Sequence, residues 1–395
     1  MEMNLQKFIL EHESDDPDML ILQRDRYPDL DIATAARCIH GRKTARLKIP
    51  SWYNTTSLLY PSNVSMEQCS SEASAKYKQR FVGKGSRIAD LTGGFGVDTY
   101  FLSLVAGSTD YFERNQELAG TATHNFNELR AANISVFNRE IDSAALQQIP
   151  DDFYDLIYID PARRGKYGER VYSIHDCEPD IMEIKSELLR IAPEILVKIS
   201  PMADISAVAS ELKETAEIHV VAVNNECKEV LLLLSRENKE HTITAIELST
   251  GKGFSYTPVE ERNAAVQYAG QSDLQPGSFL YIPSAAVLKA GPFKLLSSRM
   301  HVSKLAPSSH YYVSPSYIRN FPGKIRKIEA VYQFNRSFIR DFGKRFPECS
   351  VSSRNFPLSA AELKKRMKLR ESSHYHLIAT TDNSGGKIAI LSVPV

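Results

Sequence analysis

Apolar segments of strand length alternate with amphipathic segments of helix length through the middle of this 395-residue chain. The seven strand-like segments are residues 87–91, 110–113, 134–138, 155–160, 194–199, 217–223 and 230–235. Between the first six lie segments long enough for crossover helices, such as residues 117–131 and 180–191. Because a crossover helix returns the chain to the sheet in the same direction, this alternation predicts a parallel, doubly wound α/β sheet covered on both faces.

The last two predicted strands are separated by only a few residues around the sequence NNECKE. This gap allows a hairpin but no crossover helix, so the final strand is predicted to run antiparallel. Seven strands that end in a hairpin are similar to the strand order of class I methyltransferases. Strand order alone leaves open the nucleotide-binding folds that are built from the same units.

The segments on either side of this sheet predict further structural regions. Residues 1–80 show no strand alternation and predict short helices interrupted by prolines. After a linker-like stretch at about 250–278, strands are predicted at KIRKIEAVYQF, CSVSSRNF, HYHLIATT and KIAILSV, and helices at NRSFIRDFGKRF and SAAELKKRMKLR. Ser359 and Glu362 predict a capping box at the start of the second helix. This β-α-β-α-β-β order is typical of a ferredoxin-like α+β module.

Charge is distributed unevenly along the chain, although the whole chain has no formal net charge. Residues 286–395 contain 19 Lys and Arg against 6 Asp and Glu, a net charge of +13, whereas the preceding residues contain 29 against 42, a net charge of −13. A basic part of this size predicts contact with a polyanion. The predicted helices place basic residues together on their faces, with Arg336, Arg340 and Lys344 on the first and Lys364 and Lys368 on the second.

Cysteine spacing and hydropathy exclude several other classes of protein. The five cysteines, at positions 38, 69, 177, 227 and 349, are scattered and form no CxxC pair. They therefore predict neither a disulfide framework nor a zinc site. The longest apolar run, at about 230–234, is far shorter than a bilayer span, and the acidic N-terminus lacks the charge pattern of a signal peptide. We therefore expect a cytoplasmic protein without a metal site or a membrane span.

The first predicted strand leads into a glycine-rich turn, IADLTGGFGVDT at residues 88–99. A dinucleotide-binding fingerprint needs a third glycine where Thr99 stands, so that fingerprint fails. Asp90 ends the strand, and its carboxylate repels a pyrophosphate but can bind a cation or a hydroxyl group. S-adenosylmethionine (SAM) has an ammonium, a sulfonium and two ribose hydroxyls, and therefore suits the turn better than NAD. A tight turn without a ligand is the alternative. The predicted SAM contacts are Asp90, Thr92, Gly93, Gly94 and Gly96.

Acidic residues also follow the second and third predicted strands. Glu113, in the sequence FERN, lies one βαβ unit after the turn, where an acid can accept hydrogen bonds from both ribose hydroxyls. Arg114 and Asn115 are then predicted to border the adenine. Asp142 is a candidate acceptor for the adenine amino group, and Glu140 is an equally simple alternative.

The fourth predicted strand ends in the turn Asp160-Pro161-Ala162-Arg163. In an open α/β sheet, ligands bind beyond the carboxyl ends of the strands near the switch point, which is where this turn lies. Pro161 fixes φ and limits the directions of the neighbouring carbonyl groups. Asp160 and a backbone carbonyl could then accept hydrogen bonds from a planar amine and hold its nitrogen in line with a methyl group.

A dense run of basic residues begins within the same turn. The guanidinium plane of Arg163 can stack on a nucleobase or bind its phosphate. Arg164, Lys166 and Arg170 are predicted to steer a polynucleotide backbone towards the turn. Ion pairs with local acids such as Glu169 are the alternative explanation for these charges.

These motifs resemble those of known methyltransferases. The Asp160-Pro161-Ala162-Arg163 turn is similar to the D/N-P-P-[YFWR] motif of enzymes that methylate nucleobase amino groups, with Ala162 replacing the second proline and Arg163 standing where an aromatic residue is usual. Together with IADLTGGFGVDT and FERN, it resembles a bacterial family of class I SAM-dependent methyltransferases with a C-terminal THUMP-like domain. More distantly, the glycine-rich turn and FERN resemble a small-subunit rRNA guanine-N2 methyltransferase.

This resemblance implies a fold and a division into domains. The fold is a Rossmann-like seven-stranded sheet with an N-terminal helical region and a C-terminal α+β domain of ferredoxin-like and THUMP-like type. The expected boundaries are a helical region at 1–80, a methyltransferase domain at 81–250, a linker with a small α+β subdomain at 251–322, and a THUMP-like basic domain at 323–395. Residues 60–81 lie where class I enzymes close over the methionine end of SAM.

The function expected from these features is SAM-dependent N-methylation of RNA (rRNA or tRNA), at guanine N2 or, second, adenine N6. Asp160, Pro161 and Arg163 would lie at the reaction centre. A non-catalytic RNA-binding protein that senses SAM, and a methyltransferase of DNA or protein amides, are the alternatives. Cys69 and Cys177 do not occupy the position of a pyrimidine-C5 nucleophile and are predicted to be packing residues. The side chain of Lys198 is predicted to point into the same crevice or to form a salt bridge.

Overall fold

A computed structural model describes residues 3–163, 174–237 and 240–395 of the chain. These residues divide into two units, of which the first contains residues 1–217 and 229–239 and the second contains residues 218–228 and 240–395. Among the described residues, no helix is both long enough and apolar enough to cross a membrane.

The described part of the chain begins with six α-helices before its first strand. They are α1 (Met3–Glu11), α2 (Pro17–Leu22), α3 (Ile32–Lys48), α4 (Pro50–Tyr53), α5 (Asn63–Gln68) and α6 (Glu72–Lys78). Asp31 begins α3 because its side chain accepts a hydrogen bond from the Thr34 backbone N–H. Trp52, from α4, packs in one core with Phe95 and Phe101. The helical N-terminus is thus confirmed, but it shares its core with the segment that follows β1.

Nine strands and five helices follow these N-terminal helices in chain order. The strands are β1 (Arg87–Asp90), β2 (Ser108–Phe112), β3 (Ile134–Phe137), β4 (Leu156–Ile159), β5 (Ala162–Arg163), β6 (Cys177–Glu178), β7 (Glu194–Ile199), β8 (Thr215–Val223) and β9 (Glu226–Ser235). The helices are α7 (Val97–Ser103), α8 (Gln116–Glu128), α9 (Ser143–Gln147), α10 (Ile181–Ile191) and α11 (Ile205–Glu211). Seven of these strands form one sheet in the order β8-β9-β7-β4-β1-β2-β3, and β5 pairs with β6 alone.

The directions of these strands confirm the predicted doubly wound fold. β1, β2, β3, β4 and β7 pair in parallel, whereas β9 pairs antiparallel with β7. All four residues of β4 are buried, as are the five residues from Val230 to Leu234 in β9. Burial on both faces explains why these strands appear in the sequence as continuous apolar runs. The carboxyl ends of β1, β2, β4 and β7 lie at one edge of the sheet.

Besides parts of β8 and β9, the second unit contains the strands and helices that follow them in the chain. The strands are β10 (Thr242–Glu247), β11 (Lys252–Tyr256), β12 (Phe279–Pro283), β13 (Ser303–Lys304), β14 (Tyr312–Ser314), β15 (Gly323–Gln333), β16 (Ser350–Ser353), β17 (His376–Thr381) and β18 (Lys387–Pro394). The helices are α12 (Pro258–Asn263), α13 (Ala285–Ala290), α14 (Phe293–Met300), α15 (Arg336–Arg345) and α16 (Ala360–Met367).

The region after β9 contains two features that the sequence did not predict. β10 pairs with β11 and lies beside β8, so the first sheet has nine strands where the sequence predicted seven. The stretch at 250–278 is not simply a linker, because β11 and α12 lie within it. A capping box between Thr257 and Glu260 begins α12. A short hairpin and a short capped helix carry too little periodicity to be distinguished from a linker by pattern alone.

The C-terminal module has the predicted order of elements, β15-α15-β16-α16-β17-β18. The capping box of Ser359 and Glu362 is confirmed at the start of α16. One detail is wrong: α16 ends at Met367, and Lys368 follows it in a left-handed conformation, with φ 55°. Lys368 therefore does not extend the helical face of Lys364. The sheet of this module continues into β12, β14 and β13, in the order β13-β14-β12-β15-β18-β17-β16.

Candidate active site at the carboxyl edge of the first sheet

The glycine-rich turn between β1 and α7 packs directly against the end of β2. Gly93 donates a hydrogen bond from its backbone N–H to the Phe112 carbonyl oxygen at 2.9 Å. A Cβ atom at Gly93 would lie only 2.0 Å from the Tyr111 ring, so no other residue fits there. Gly96 precedes α7 with φ 85°, a left-handed conformation that glycine adopts without steric cost. The glycines are thus required by the shape of the turn itself.

Asp90 lies beneath this turn and is 1% exposed. Its carboxylate accepts hydrogen bonds from the Thr92 backbone N–H at 3.0 Å and from the Thr99 hydroxyl at 2.6 Å. Burial raises the pKa of Asp90 to about 7, even though both hydrogen bonds lower it. Asp90 therefore holds the turn in place, and its predicted contact with SAM stays a prediction.

Glu113, which follows β2, is half-buried at the same edge. One carboxylate oxygen accepts a hydrogen bond from the Gly94 backbone N–H at 2.8 Å, and the other accepts one from the Asn115 backbone N–H at 2.6 Å. An ionised carboxylate has about four lone-pair sites, so each oxygen can accept one further hydrogen bond. The acid is thus fixed beside the turn with capacity for two hydroxyl donors.

The other predicted adenine-site residues are exposed and have partners within the protein. The Arg114 guanidinium lies 3.1 Å from Glu178 and 3.5 Å from Glu140, and both distances join Nη1 to a carboxylate oxygen. Asn115 begins α8 by accepting a hydrogen bond from a backbone N–H of the first turn. Asp142 does the same for α9, at 2.8 Å from the Ala145 nitrogen. Their contacts with adenine stay predictions.

Asp160 is held from two sides at the end of β4. Its backbone N–H donates to the Thr92 hydroxyl at 2.6 Å, so the turn and the β4 corner are directly joined. One of its carboxylate oxygens, Oδ2, lies 2.5 Å from the Lys198 ammonium nitrogen. The Asp160 and Lys198 side chains are 36% and 14% exposed, respectively. Of the two positions predicted for Lys198, the salt bridge is therefore the one observed.

Three charged residues beneath this corner were not predicted from the sequence as site residues. The Lys78 side chain is 0% exposed, and its ammonium donates to Ser70, Asp98 and Glu229 at 3.1, 3.0 and 2.9 Å. Asp98 also accepts hydrogen bonds from the Ser70 hydroxyl at 2.7 Å and from the Tyr158 hydroxyl at 2.8 Å. We call Lys78, Asp98, Glu229 and Lys198 the buried charge cluster.

The sequence does contain one signal for this cluster. Glu229 stands directly before the five apolar residues of β9, and a charge next to a buried apolar run requires a partner. The partner itself could not be predicted, because Lys78 lies 151 residues away in sequence.

Neighbouring charges decide the ionisation of the buried charge cluster. Burial alone would lower the pKa of Lys198, but Asp160, Asp98 and Glu229 outweigh it, so the pKa lies above its ordinary value. Burial alone would raise the pKa of Asp98, but Lys78 and Lys198 hold it below its ordinary value. Burial does raise the pKa of Glu229, against the opposing effect of Lys78. The Lys198 ammonium is therefore a stable cation next to Asp160.

The cysteines near the sheet are unsuited to nucleophilic attack. Burial raises the pKa of the Cys69 thiol to about 11, so it remains protonated at neutral pH. Cys177 is fully buried in β6. Because the thiolate is the nucleophile, neither residue has the chemistry of a pyrimidine-C5 methyltransferase.

Some of the predicted RNA-contacting residues form ion pairs within the protein, one is exposed, and others lie outside the described residues. Arg164, Lys166 and Arg170 lie outside the described residues, as does the side chain of Arg163. On α15, Arg336 is exposed, whereas Arg340 and Lys344 both pair with Asp341 at 2.7 and 3.2 Å. Lys364 pairs with Glu371. Within the described part of the chain, no group of three or more His, Cys, Asp or Glu side chains could hold a metal ion.

Family comparisons match two consecutive segments in the second unit. Residues 279–322 match a ferredoxin-like domain family, and residues 323–394 match a THUMP domain-like family. A search of curated proteins finds no match.

The fold is also similar to solved structures. A crystal structure of a candidate methyltransferase from Porphyromonas gingivalis W83 is 34% identical, with a TM-score of 0.89, over 100% of this chain and 98% of that one. An rRNA methylase from Streptococcus thermophilus (14% identity, TM-score 0.30) matches 41% of this chain and 93% of its own. A tRNA (m1A58) methyltransferase from Aquifex aeolicus (14% identity, TM-score 0.32) matches 44% of this chain and 71% of its own. The latter two are distant similarities that cover less than half of the chain.

The full-length match, the strand order and the C-terminal domains agree with one another. The P. gingivalis protein shares the whole length of the chain at an identity that indicates common descent. The glycine-rich turn, Glu113 and the Asp160-Pro161 corner lie at one edge of the sheet, as the sequence motifs predicted. The chain therefore belongs to the family of class I SAM-dependent methyltransferases that carry a C-terminal THUMP-like domain.

Proposed function

We propose that the protein transfers a methyl group from SAM to an exocyclic amino group of a nucleobase in RNA, at guanine N2 or, second, at adenine N6. The observation that carries this proposal is the fixed Asp160-Pro161 corner next to the glycine-rich turn. Its carboxylate is anchored through Oδ2 to Lys198, and its backbone is anchored to Thr92. A carboxylate held in this way is suited to orienting a polar acceptor group.

The residues of the turn fit SAM as cofactor. Glu113 can accept a hydrogen bond from each of the two ribose hydroxyls while it keeps its hydrogen bonds to two backbone N–H groups. A Cβ atom at Gly94 would meet no atom closer than the Thr92 carbonyl oxygen at 3.8 Å, so the turn is open at this residue and a ligand can approach its backbone closely. When bound, SAM supplies a sulfonium methyl group to the target nitrogen. The N–CH₃ bond forms as the S–CH₃ bond breaks with its electrons staying on sulfur, and the nitrogen then releases one proton to water.

Asp160 favours a particular kind of nucleobase nitrogen. An ionised carboxylate only accepts hydrogen bonds, so the target nitrogen must carry N–H groups. The exocyclic amines of guanine and adenine meet this condition, whereas the unprotonated ring nitrogens do not. Asp160 then holds the amine in place and stabilises positive charge that develops on it.

RNA as the substrate is supported by the THUMP-like match and by the charge of the C-terminal part. Residues 286–395 carry a net charge of +13. A positive surface of this kind binds phosphates and releases their counterions. Arg336, Arg340 and Lys344 follow one another along α15, and together they outweigh the charge of Asp341. Arg163, Arg164, Lys166 and Arg170 are proposed to guide the RNA near the corner.

The direct test of this function compares RNA from cells with and without the protein. We expect one nucleotide to lose a methyl group at an exocyclic nitrogen in the deletion strain. Purified protein with methyl-labelled SAM should then restore that modification on RNA from the deletion strain. Label transfer to DNA or protein but not to RNA would contradict the proposal, and so would a protein that binds SAM and RNA without transferring label.

Glu113→Ala is expected to weaken SAM binding by about 1–3 kcal/mol, because two charge-assisted hydrogen bonds to the ribose are removed. Isothermal titration calorimetry with SAM measures this effect. Glu117→Ala is the matched control, since Glu117 lies on the next helix and is 66% exposed in an ion pair with Arg37. An unchanged dissociation constant for Glu113→Ala would contradict its assignment to the ribose.

Removing three charges from α15 is expected to reduce the salt dependence of RNA binding. For Arg336→Gln/Arg340→Gln/Lys344→Gln, the slope of log K against log salt should become shallower by about 1 for each RNA phosphate that the variant no longer neutralises. Fluorescence anisotropy with labelled bulk tRNA measures the slope. Lys7→Gln/Arg24→Gln/Arg26→Gln removes the same charge from exposed N-terminal residues and should leave the slope unchanged. Equal slopes for both variants would exclude α15 from the RNA-binding surface.

A further inference from the structure

Asp160 directly follows β4, and Lys198 lies beside it on the neighbouring parallel strand β7. Ile159 of β4 is paired with Val197 of β7, so the next residue of each strand lies side by side at the carboxyl edge. In parallel strands about 4.8 Å apart, such residues project on the same face. Sheet register therefore accounts for the 2.5 Å separation of Lys198 Nζ and Asp160 Oδ2.

The other charges around Lys198 lie deeper in the protein. Asp98 and Glu229 both attract the Lys198 ammonium. They are themselves bound by Lys78, whose three N–H donors are all used by Ser70, Asp98 and Glu229. Lys78 is thus hydrogen-bonded to both deep acids, whereas no hydrogen bond to either of them is made by Lys198 within the described part of the chain. Among the described residues, the one side-chain hydrogen bond of Lys198 goes to Asp160.

This arrangement divides the tasks of the two lysines. Lys78 is saturated and fully buried, so it stabilises the fold. Lys198 is partly exposed and donates to Asp160. Of Asp98, Glu229 and Asp160, the last is the one that lies at the carboxyl edge of the sheet. Lys198 takes one of the two acceptor sites of Oδ2, so Oδ1 is the oxygen more open to a substrate amine. No described residue donates a hydrogen bond to Oδ1 in the structure.

We propose that Lys198 is a positioning residue that acts through Asp160: it holds Oδ2, directs Oδ1 towards the amine and thereby sets the line of methyl transfer. The proposal rests on the proposed function. Misplacement of a reacting group by about 1 Å lowers the rate by about 10²-fold. Without its anchor, Asp160 should therefore retain its charge but lose most of its contribution to the rate of methyl transfer.

A double-mutant cycle separates this role from a purely structural one. The variants are Lys198→Met, Asp160→Asn and the two combined, assayed for methyl transfer to total RNA from a strain that lacks the protein. We expect Lys198→Met to lower kcat by about 10²-fold while the dissociation constant for SAM changes by less than about 2-fold. In the Asp160→Asn background, Lys198→Met should cause no further loss, because its effect passes through Asp160.

Two further variants serve as controls for the double-mutant cycle. Lys198→Arg keeps a cation at this position and should recover activity to within about 10-fold of the wild type. Lys185→Met removes a similarly half-buried lysine, 18% exposed and paired with Glu214 at 2.8 Å, and should leave kcat unchanged.

The outcomes distinguish failure of this proposal from failure of the proposed function. Additive losses in the cycle, or an unchanged kcat for Lys198→Met, would overturn the role of Lys198 while leaving methyl transfer intact. Lys198→Met could lose SAM binding or the native fluorescence of Trp52, and Lys198→Arg could be as inactive as Lys198→Met. In that case the role of Lys198 is structural and the proposal fails. A wild-type protein without methyl transfer to RNA would instead overturn the proposed function.

Discussion

Asp160→Asn is expected to lower kcat for methyl transfer by at least about 10²-fold, with a change of less than about 2-fold in the dissociation constant for SAM. The substitution keeps the shape of the side chain but removes its negative charge. The amide side chain of this variant can no longer accept hydrogen bonds through both of its terminal atoms, so the amine is both less well oriented and less well stabilised as charge develops. The contacts of the turn with Glu113 do not involve this side chain.

A matched control lies at the other end of the same strand. Asp155 precedes β4, and its carboxylate accepts a hydrogen bond from the Arg87 backbone N–H at 2.7 Å. Asp155→Asn can keep that hydrogen bond and should leave both kcat and SAM affinity unchanged. Steady-state kinetics and calorimetry on both variants give the comparison. Loss of SAM binding in Asp160→Asn would show that Asp160 belongs to the cofactor site and not to the acceptor site.

Lys78→Met is expected to lower the free energy of unfolding of the first unit by about 3–5 kcal/mol. The substitution leaves Asp98 and Glu229 buried without the cation that is hydrogen-bonded to both of them. Glu229 already has one buried carboxylate oxygen, Oε1, without a hydrogen-bond partner among the described residues. Removal of one partner from a buried ion pair is far more costly than removal of an exposed one.

The fluorescence of Trp52 provides a local measurement of this loss. Trp52 is the single tryptophan of the chain and is fully buried in the first unit, so its emission during urea denaturation follows that unit. Lys76→Met is the control on the same helix, because Lys76 is 55% exposed in its ion pair with Glu72 and should contribute no more than about 1 kcal/mol. Equal midpoints for the two variants would contradict a stabilising role for Lys78. Adding Glu229→Gln to Lys78→Met should recover part of the loss.

The positions of single residues at the carboxyl edge of the sheet could be predicted from the sequence because each ends or directly follows a strand. A strand of a parallel sheet ends where its apolar run ends, and the next polar residue then lies at the carboxyl edge. This reasoning placed Asp90, Glu113 and Asp160 correctly at that edge. It did not predict that Asp90 is buried beneath the turn, because the depth of a side chain depends on how Thr99 and the glycines fold back over it.

The sequence by itself determined the doubly wound sheet, its antiparallel last strand, the glycine-rich turn and the β-α-β-α-β-β module, since each depends on a local periodicity or on a steric limit of one residue. Tertiary structure alone decided that Lys78, Asp98, Lys198 and Glu229 meet beneath Asp160. These residues come from separate helices and strands, and an ion pair forms only where the packing of those elements brings the charges within about 4 Å of each other. No local sequence pattern predicts which of these residues come into contact, because the contacts join residues that are far apart in the sequence.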